Sequence, residues 1–197
     1  MQITFNFSDF LAKANELGAA ADQVPYALSR TFNTAVQNAR RVLTEATWPS
    51  AVEVHNTGFI RRALRTKFST KSDLRVLIYD DLHRANLAGH AYGDTKTPRG
   101  THLAIPPKGL FPRGSSGIAK GNRPRALIAK TPKRALRITD RGIFIGEGGR
   151  LRLQYGFRSS ANQPADVPFE DAFRDAMLNE VRTSFPAAIA QAMATRK

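Results

Sequence analysis

The chain has 197 residues, a net charge of +14 and no cysteine. This length suffices for one ordinary domain, and the lack of cysteine excludes disulfides, cysteine nucleophiles and thiolate-ligated zinc. No stretch approaches the ~20 consecutive apolar residues of a membrane span, and the first residues do not resemble a signal peptide, so we expect a soluble protein with no membrane partner.

The positive charge is concentrated in the middle of the sequence. Residues 1–60 carry a net charge of −1, residues 61–157 carry +15, and residues 158–197 are neutral. Between Thr95 and Thr139 there are eleven lysines and arginines and no aspartate or glutamate. This distribution predicts a near-neutral scaffold that carries a cationic central segment.

The N-terminal segment predicts a strand that runs into a helix. Ile3, Phe5 and Phe7 alternate with polar residues, as is typical of a strand with one buried face. Ser8 can cap a helix whose apolar face would consist of Phe10, Leu11, Ala14 and Leu17.

A longer helix is predicted from about Asp22 to Ala46. Pro25 would lie in its first turn, where the missing N–H costs little, and Trp48-Pro49-Ser50 would end it. Thr57 is then predicted to begin a short helix that reaches Leu64. The run "LRVLIY" is rich in β formers and apolar on both faces, which predicts a strand covered on both sides.

Regular pattern is lost between Gly89 and Pro132. Seven of the fourteen glycines and six of the eleven prolines lie there. This composition predicts an extended basic arm over residues 89–135, with at most short strands such as "HLAI" and "ALIA". A structureless loop of this length is unusual inside a compact domain, so we expect the arm to be ordered by a partner, or disordered without one.

After the arm, the sequence predicts an antiparallel β meander. Leu136 and Ile138 precede the turn sequence "TDRG", and "IFI" precedes the turn sequence "GEGG". The residues from Leu151 to Phe157 then alternate between apolar and polar side chains.

The C-terminal segment is the clearest predicted helix. Pro168 would occupy its first turn, next to two acidic residues that favour the positive end of the helix dipole. Pro186 should kink or break the helix. The apolar stripe consists of Phe169, Ala172, Phe173, Ala176, Met177 and Val181.

We therefore predict a single α+β domain over residues 1–197. N-terminal and C-terminal amphipathic helices would pack on the antiparallel meander, with the basic arm of residues 89–135 inserted between them.

Three segments resemble the minor tail protein Z family of long-tailed phages and prophages. They are "ADQVPYALSRTFNTAVQNARRVLTEAT", "FIRRALRTKF" and "VPFEDAFRDAMLNEVRTSFP". In that family a Val-Pro pair opens the last helix, an Ala-Phe pair follows, and a large apolar residue with proline comes later. Here these features match Val167-Pro168, Ala172-Phe173 and Phe185-Pro186. The central arm departs from the family, because it is richer in proline and glycine.

The resemblance implies a tail-completion protein at the phage head–tail junction. Such a protein is made in the bacterial host cytoplasm and built into the virion. It is a structural component with no catalytic residues and no cofactor. Its partners would be further copies of itself in a ring, and other head–tail junction or tail proteins.

The arm supplies the candidate site residues, eight lysines and arginines that could contact an anionic partner: Arg113, Lys120, Arg123, Arg125, Lys130, Lys133, Arg134 and Arg137. The partner could be an acidic neighbouring subunit or the phosphates of packaged DNA. Phe111 is the only aromatic residue between Thr95 and Thr139, so base stacking has little support. A solvated face that maintains solubility is the alternative reading.

Two motifs suggest other chemistry. Asp80, Asp81, His83, His90 and Asp94 could supply ligands to a divalent cation, as in a metal-dependent nuclease, but a polar turn explains the same residues. The run "GSSGIAKG" lacks the Ser or Thr that follows the lysine of a phosphate-binding loop. We therefore expect no catalysis and no bound metal. The alternatives to the phage structural protein are a non-specific nucleic-acid-binding protein and, third, a nuclease.

Overall fold

The structure, a computed structural model, describes residues 1–5, 23–82 and 87–195. The predicted helix that begins at Ser8, the strand position Phe7 and the candidate ligand His83 lie outside the described residues. The helices and strands are, in chain order, β1 (Gln2–Phe5), α1 (Gln23–Val42), α2 (Trp48–Ala51), α3 (Thr57–Ala63), β2 (Leu64–Lys67), β3 (Val76–Asp80), α4 (Leu87–Tyr92), β4 (Asp94–Lys96), β5 (Leu103–Ile105), β6 (Arg113–Gly114), β7 (Gly117–Ile118), α5 (Pro124–Lys130), β8 (Leu136–Thr139), β9 (Gly142–Glu147), β10 (Arg150–Arg158), β11 (Ala161–Gln163) and α6 (Phe169–Ala194).

The α+β class is confirmed by this mixture of helices and antiparallel sheets. The chain forms two compact units. The first comprises Met1–Glu53, Gly58–Tyr92 and Ala165–Lys197, and the second comprises Val54–Thr57 and Gly93–Pro164.

The first unit is built on the long helices α1 and α6, which pack against each other. They run antiparallel, because Asn38 in α1 donates a hydrogen bond to Glu180 near the middle of α6 (2.9 Å), and Trp48 in α2 stacks on Phe169 at the start of α6 (centroids 6.0 Å apart). Residues three and four apart on α1 are buried, as the amphipathic pattern predicted. They are Val24, Ala27, Leu28, Thr31, Phe32, Ala35, Val36 and Ala39.

The predicted stop at Trp48-Pro49-Ser50 is wrong. The helical path continues from α1 through a π-helical turn, Leu43–Thr47, into α2, and ends only at Ala51. Pro49 is tolerated because it lies at the start of α2, where its missing N–H has little effect. The Trp48 N–H bonds to the carbonyl of Leu43 across the π turn.

The C-terminal helix α6 is confirmed, and its buried residues include four of the predicted stripe: Phe169, Phe173, Met177 and Val181. Pro168 precedes the helix as its N-cap residue. Pro186 does not end the helix, which continues to Ala194. Beyond the proline Ala192 is buried and Ile189 is half-buried, so packing contributes to holding the last turns of the helix.

The helices pack on a sheet that the sequence did not predict. Within the first unit, β3 lies between β1 and β2 in an antiparallel sheet, and α1 contacts β3 while α6 contacts β1. Val76 and Ile78 of β3 are buried and Leu77 and Tyr79 are half-buried, which confirms the strand expected to be covered on both sides. The meander belongs to the second unit and is not the sheet on which these helices pack.

The second unit contains the predicted meander in a four-stranded sheet of order β5-β10-β9-β8, with β8, β9 and β10 paired antiparallel. Gly142 begins β9 with φ +154°, and a Cβ at this position would come within 2.1 Å of the Tyr155 carbonyl oxygen. Only glycine therefore allows β9 and β10 to approach this closely.

The segment 89–135, predicted as an extended arm, contains β4 to β7, a single 3₁₀ turn at Lys120–Asn122, and α5. "HLAI" forms a strand as expected, but "ALIA" lies in a helix. Pro124 provides a favourable first position for this helix, and Leu127 buries its side chain against Ile143 and Tyr155. Part of the predicted arm therefore contributes to the core of the second unit.

Candidate anion-binding surface

The two units differ strongly in net charge. The second unit carries fifteen lysines and arginines and three acidic residues, a net charge of +12, whereas the first carries fifteen and thirteen, a net charge of +2. All fifteen basic side chains of the second unit are described, and all are exposed. Nearly the whole excess charge of the chain therefore lies on the surface of one compact unit.

All eight predicted site residues belong to this unit, and most of them cluster along the chain around α5. Arg113 lies on β6, and Lys120 lies in the 3₁₀ turn before α5. Arg137 lies on β8. The remaining five are in α5 or immediately beside it: Arg123, Arg125, Lys130, Lys133 and Arg134.

Two contacts fix α5 on the sheet. Leu127 inserts its side chain into a cluster with Ile143 and Tyr155, where it is 4% exposed. The buried Tyr155 hydroxyl donates a hydrogen bond to the Asn122 carbonyl (2.7 Å), which holds the turn before the helix. Burial raises the pKa of Tyr155, so the phenol stays protonated and keeps this donor at neutral pH. The cations in and beside α5 therefore project from a helix that is packed on the sheet.

The hydrogen bonds of these cations go to neutral acceptors. Arg123 donates to the Ile118 carbonyl (3.4 Å), and Lys130 donates to the Asn122 side-chain oxygen (3.3 Å). The second unit has only three acidic residues, and one of them, Glu147, pairs with Arg152 at 3.5 Å, with both side chains exposed to solvent. The positive charge around α5 is therefore not neutralised within the unit.

Three aromatic residues of the second unit pack in its core cluster or against it: Phe111, Tyr155 and Phe157. Phe111 stacks on Tyr155 with ring centroids 5.5 Å apart, and Phe157 stacks on His102 at 5.2 Å. Because Phe111 is half-buried and stacks on Tyr155, one face of its ring is already covered, which gives base stacking little support.

Besides Lys96, Arg99 and Lys108, four exposed arginines of this unit were not among the predicted site residues: Arg141, Arg150, Arg152 and Arg158. They lie beyond Asp140, which ends the acid-free part of the sequence. Three of them were counted in the net charge of residues 61–157. All four were missed as candidates because the candidates were chosen only from the segment without acidic residues.

The four candidate metal ligands among the described residues lie in different environments. The buried Asp80 accepts a hydrogen bond from the Leu82 N–H (3.2 Å), and Asp81 pairs with Arg65 (3.4 Å). His90 contacts Asp166 (2.7 Å), whereas Asp94 begins β4 in the second unit. Within residues 1–5, 23–82 and 87–195, no three histidine or acidic side chains are grouped so that they could hold a metal ion.

Comparison with known proteins gives no relative. No protein-family model matches the chain, and no curated protein or solved structure is significantly similar to it. The likeness to the minor tail protein Z family therefore depends on the quoted sequence segments alone. Among the described helices, none combines the length and apolar character that crossing a membrane requires.

Proposed function

We propose that this protein is a structural component of a phage particle, a tail-completion protein at the head–tail interface, whose cationic second unit docks onto an anionic neighbour. The observation that carries the docking step is the exposure of fifteen cations on one compact unit with a net charge of +12. The placement in a phage particle is supported by the resemblance carried by Val167-Pro168, Ala172-Phe173 and Phe185-Pro186.

The charge of the second unit supports docking because like charges on a small surface repel one another. This repulsion reduces the stability of the free unit and is relieved when negative groups approach. Complementary charge of this kind accelerates association and orients the partners more than it adds affinity. A neighbour with an acidic surface, or the phosphates of packaged DNA, would supply the opposite charge.

The two units support different roles in a ring of copies. The first unit is close to neutral, so its surface allows copies to approach one another without strong repulsion. Second units of adjacent copies would repel unless an anionic partner lies between them. In this proposal the ring forms through the first unit, and the second unit contacts another component of the junction.

Incorporation into the virion is the first test. Mass spectrometry of purified particles should detect the protein as a constant component, in a small fixed number of copies per particle. If intact infectious particles lack it, the proposal of a structural virion role is incorrect.

The second test reverses charge around α5. Replacing Lys133 and Arg134 with glutamate should leave folding intact, since both side chains are exposed, but should reduce the joining of heads to tails. The matched control replaces Arg150 and Arg158, which are exposed at the two ends of β10 in the same unit, with glutamate, so the charge of the unit changes equally. Electron microscopy of lysates would count free heads and tails. Equal defects in both variants, or in neither, would contradict a specific role for the α5 surface.

A free non-specific nucleic-acid-binding protein is the second candidate, and the same exposed cations support it. Because Phe111, Tyr155 and Phe157 pack in or against the core of the second unit, base stacking by these rings has little support and contact would be with phosphates. Binding to unrelated DNA sequences should then be similar, and its affinity should fall steeply with salt as counterions are released. Replacing one phosphate-contacting residue such as Arg125 should lower the salt slope by about 1. DNA binding by the Lys133/Arg134 variant that equals binding by the parent would argue against this candidate.

A further inference from the structure

Strand β8 forms an open edge of the sheet in the second unit. It pairs with β9 on one side and is the last strand in the order β5-β10-β9-β8. Arg137, Ile138 and Thr139 are exposed, and Ile138 exposes 52% of its surface. An exposed edge of this kind can accept another strand, which would add to the sheet by backbone hydrogen bonds.

The hydrogen-bond pattern shows which backbone groups face this edge. Gly146 donates its N–H to the carbonyl of Ala135 (2.8 Å), and the register pairs Arg137 with Phe144 and Thr139 with Gly142. Because hydrogen-bonding directions alternate along an antiparallel strand, Ala135, Arg137 and Thr139 face β9. The backbone groups of Leu136 and Ile138 therefore point away from the sheet.

One of these outward-pointing backbone groups already has hydrogen-bond partners within the chain. The Leu136 N–H donates to the carbonyls of Pro132 and Lys133 (3.2 and 3.3 Å). The N–H and C=O of Ile138 are then the pair that an added strand would bind. In an antiparallel addition one residue of the incoming strand would exchange both hydrogen bonds with Ile138.

The side chains beside the edge specify the chemistry of that strand. Ile138 projects on the same face as Ile143 of the adjacent strand, so an apolar side chain opposite it would extend the core. Arg137 projects on the other face, with Lys133 and Arg134 preceding it, so the flanking residues of the incoming strand would be acidic. A second copy of this β8 would instead bring its own arginines against these cations.

We propose that β8 is a docking edge for an extended segment of a neighbouring protein in which acidic and apolar residues alternate. The segment would add antiparallel to β8, with an apolar residue opposite Ile138 and acidic residues facing Arg137 and Arg134. This inference rests on the proposed docking function and selects protein rather than DNA as the anionic partner at this edge. The opposing explanation is that Arg137 only protects the edge from unwanted pairing.

The test uses fluorescein-labelled peptides of alternating glutamate and valine, with binding to the full chain followed by fluorescence anisotropy. Valine would lie opposite Ile138, so methylating the valine amides should weaken binding at least about tenfold, because both the hydrogen bond and the close approach are lost. Methylating the glutamate amides should have little effect, since these face away from β8. The two peptides have the same charge.

Variants of the protein provide the complementary test. Ile138→Pro removes the outward N–H while an edge strand tolerates proline, and Ile138→Thr keeps the N–H with a β-branched side chain. Proline should weaken peptide binding at least about tenfold relative to threonine, and circular dichroism should show that both variants fold. If Ile138→Pro fails to fold, the methylated peptides on the parent protein decide the question.

Three binding results and one result from head–tail joining would overturn the inference. Equal binding of the two methylated peptides would mean that attraction is electrostatic and involves no strand pairing. Failure of every peptide to bind would mean that the edge takes no such strand. Binding of a dT oligonucleotide with no binding of the peptides would assign the surface to nucleic acid. If Lys133→Glu/Arg134→Glu blocks head–tail joining while Ile138→Pro does not, this inference fails and the proposed function remains.

Discussion

Replacing Phe173 with alanine tests the packing of the two long helices. Phe173 lies on α6 and is 1% exposed, so the substitution removes a whole ring from the core of the first unit and leaves a cavity. Burial of such a side chain is worth roughly 1.5–3 kcal/mol, and the cavity adds to the loss, so the free energy of unfolding should fall by about 3–5 kcal/mol. For a chain of this size, that corresponds to a decrease in Tm of roughly 6–20 °C.

Phe68 offers a matched control with the same chemistry. Its ring lies after β2 and is 45% exposed, so Phe68→Ala should cost about 1 kcal/mol or less. Arg182→Ala on the exposed face of α6 should change stability by less than about 0.5 kcal/mol. Thermal unfolding followed by circular dichroism would measure all three. Equal shifts for Phe173→Ala and Phe68→Ala would refute the assigned phase of α6.

Further predictions concern the second unit, the tyrosines and the candidate metal ligands. Gly142→Ala should disrupt β9–β10 pairing and lower the free energy of unfolding by several kcal/mol, because the added Cβ would clash with the Tyr155 carbonyl oxygen. Gly148→Ala should cost only about 1 kcal/mol of backbone strain, since its Cβ would meet no atom within 4 Å. Chemical denaturation of the two variants would compare these losses. Tyr155→Phe should cost about 1–3 kcal/mol, because the Asn122 carbonyl loses its buried donor. The hydrogen bond to Glu170 raises the pKa of Tyr92, and burial raises the pKa of Tyr155. The stability that these two phenols contribute should be complete below pH ~10 and lost as the pH rises through their folded-state pKa values. Absorbance titration should show Tyr155 ionising above the usual range, and this late transition should disappear in Tyr155→Phe. The purified protein should show no metal-dependent DNA cleavage, and cleavage that disappears in Asp81→Ala/His83→Ala would instead establish the nuclease alternative.

Local periodicity made part of the fold predictable. The stripes of α1 and α6 follow the helical repeat over many residues, so Phe173 and Met177 could be assigned to the core without knowing what covers them. The meander was predictable because turn sequences separate short alternating runs, and antiparallel neighbours in sequence commonly pair.

Pairings between distant residues were not predictable. β1 pairs with β3, so Ile3 lies opposite Ile78, and no local pattern in either strand specifies the other. Helix α5 has only seven residues, too few for a clear repeat, and it is fixed by Leu127 packing against residues of later strands. Its sequence "ALIA" is compatible with a strand when these contacts are not known.

The candidate surface was predictable in composition but not in extent. Charge and exposure of the residues around α5 follow from the sequence, since lysine and arginine are seldom buried. The sequence did not predict that Arg141, Arg150 and Arg158 belong to the same cationic unit. The structure shows this because the second unit extends past the acidic Asp140 and Glu147 to Pro164.

The ribbon of β4 and β11 gives the second unit a natural point of excision. Asp94 pairs with Gln163, so the main segment of this unit begins and ends at two residues that lie side by side. Chain ends held this close can be joined by a short linker with little loss of entropy. Nearly all the net charge could thus be gained, lost or exchanged as one cassette, and the cationic unit could be grafted into a loop of an unrelated host protein.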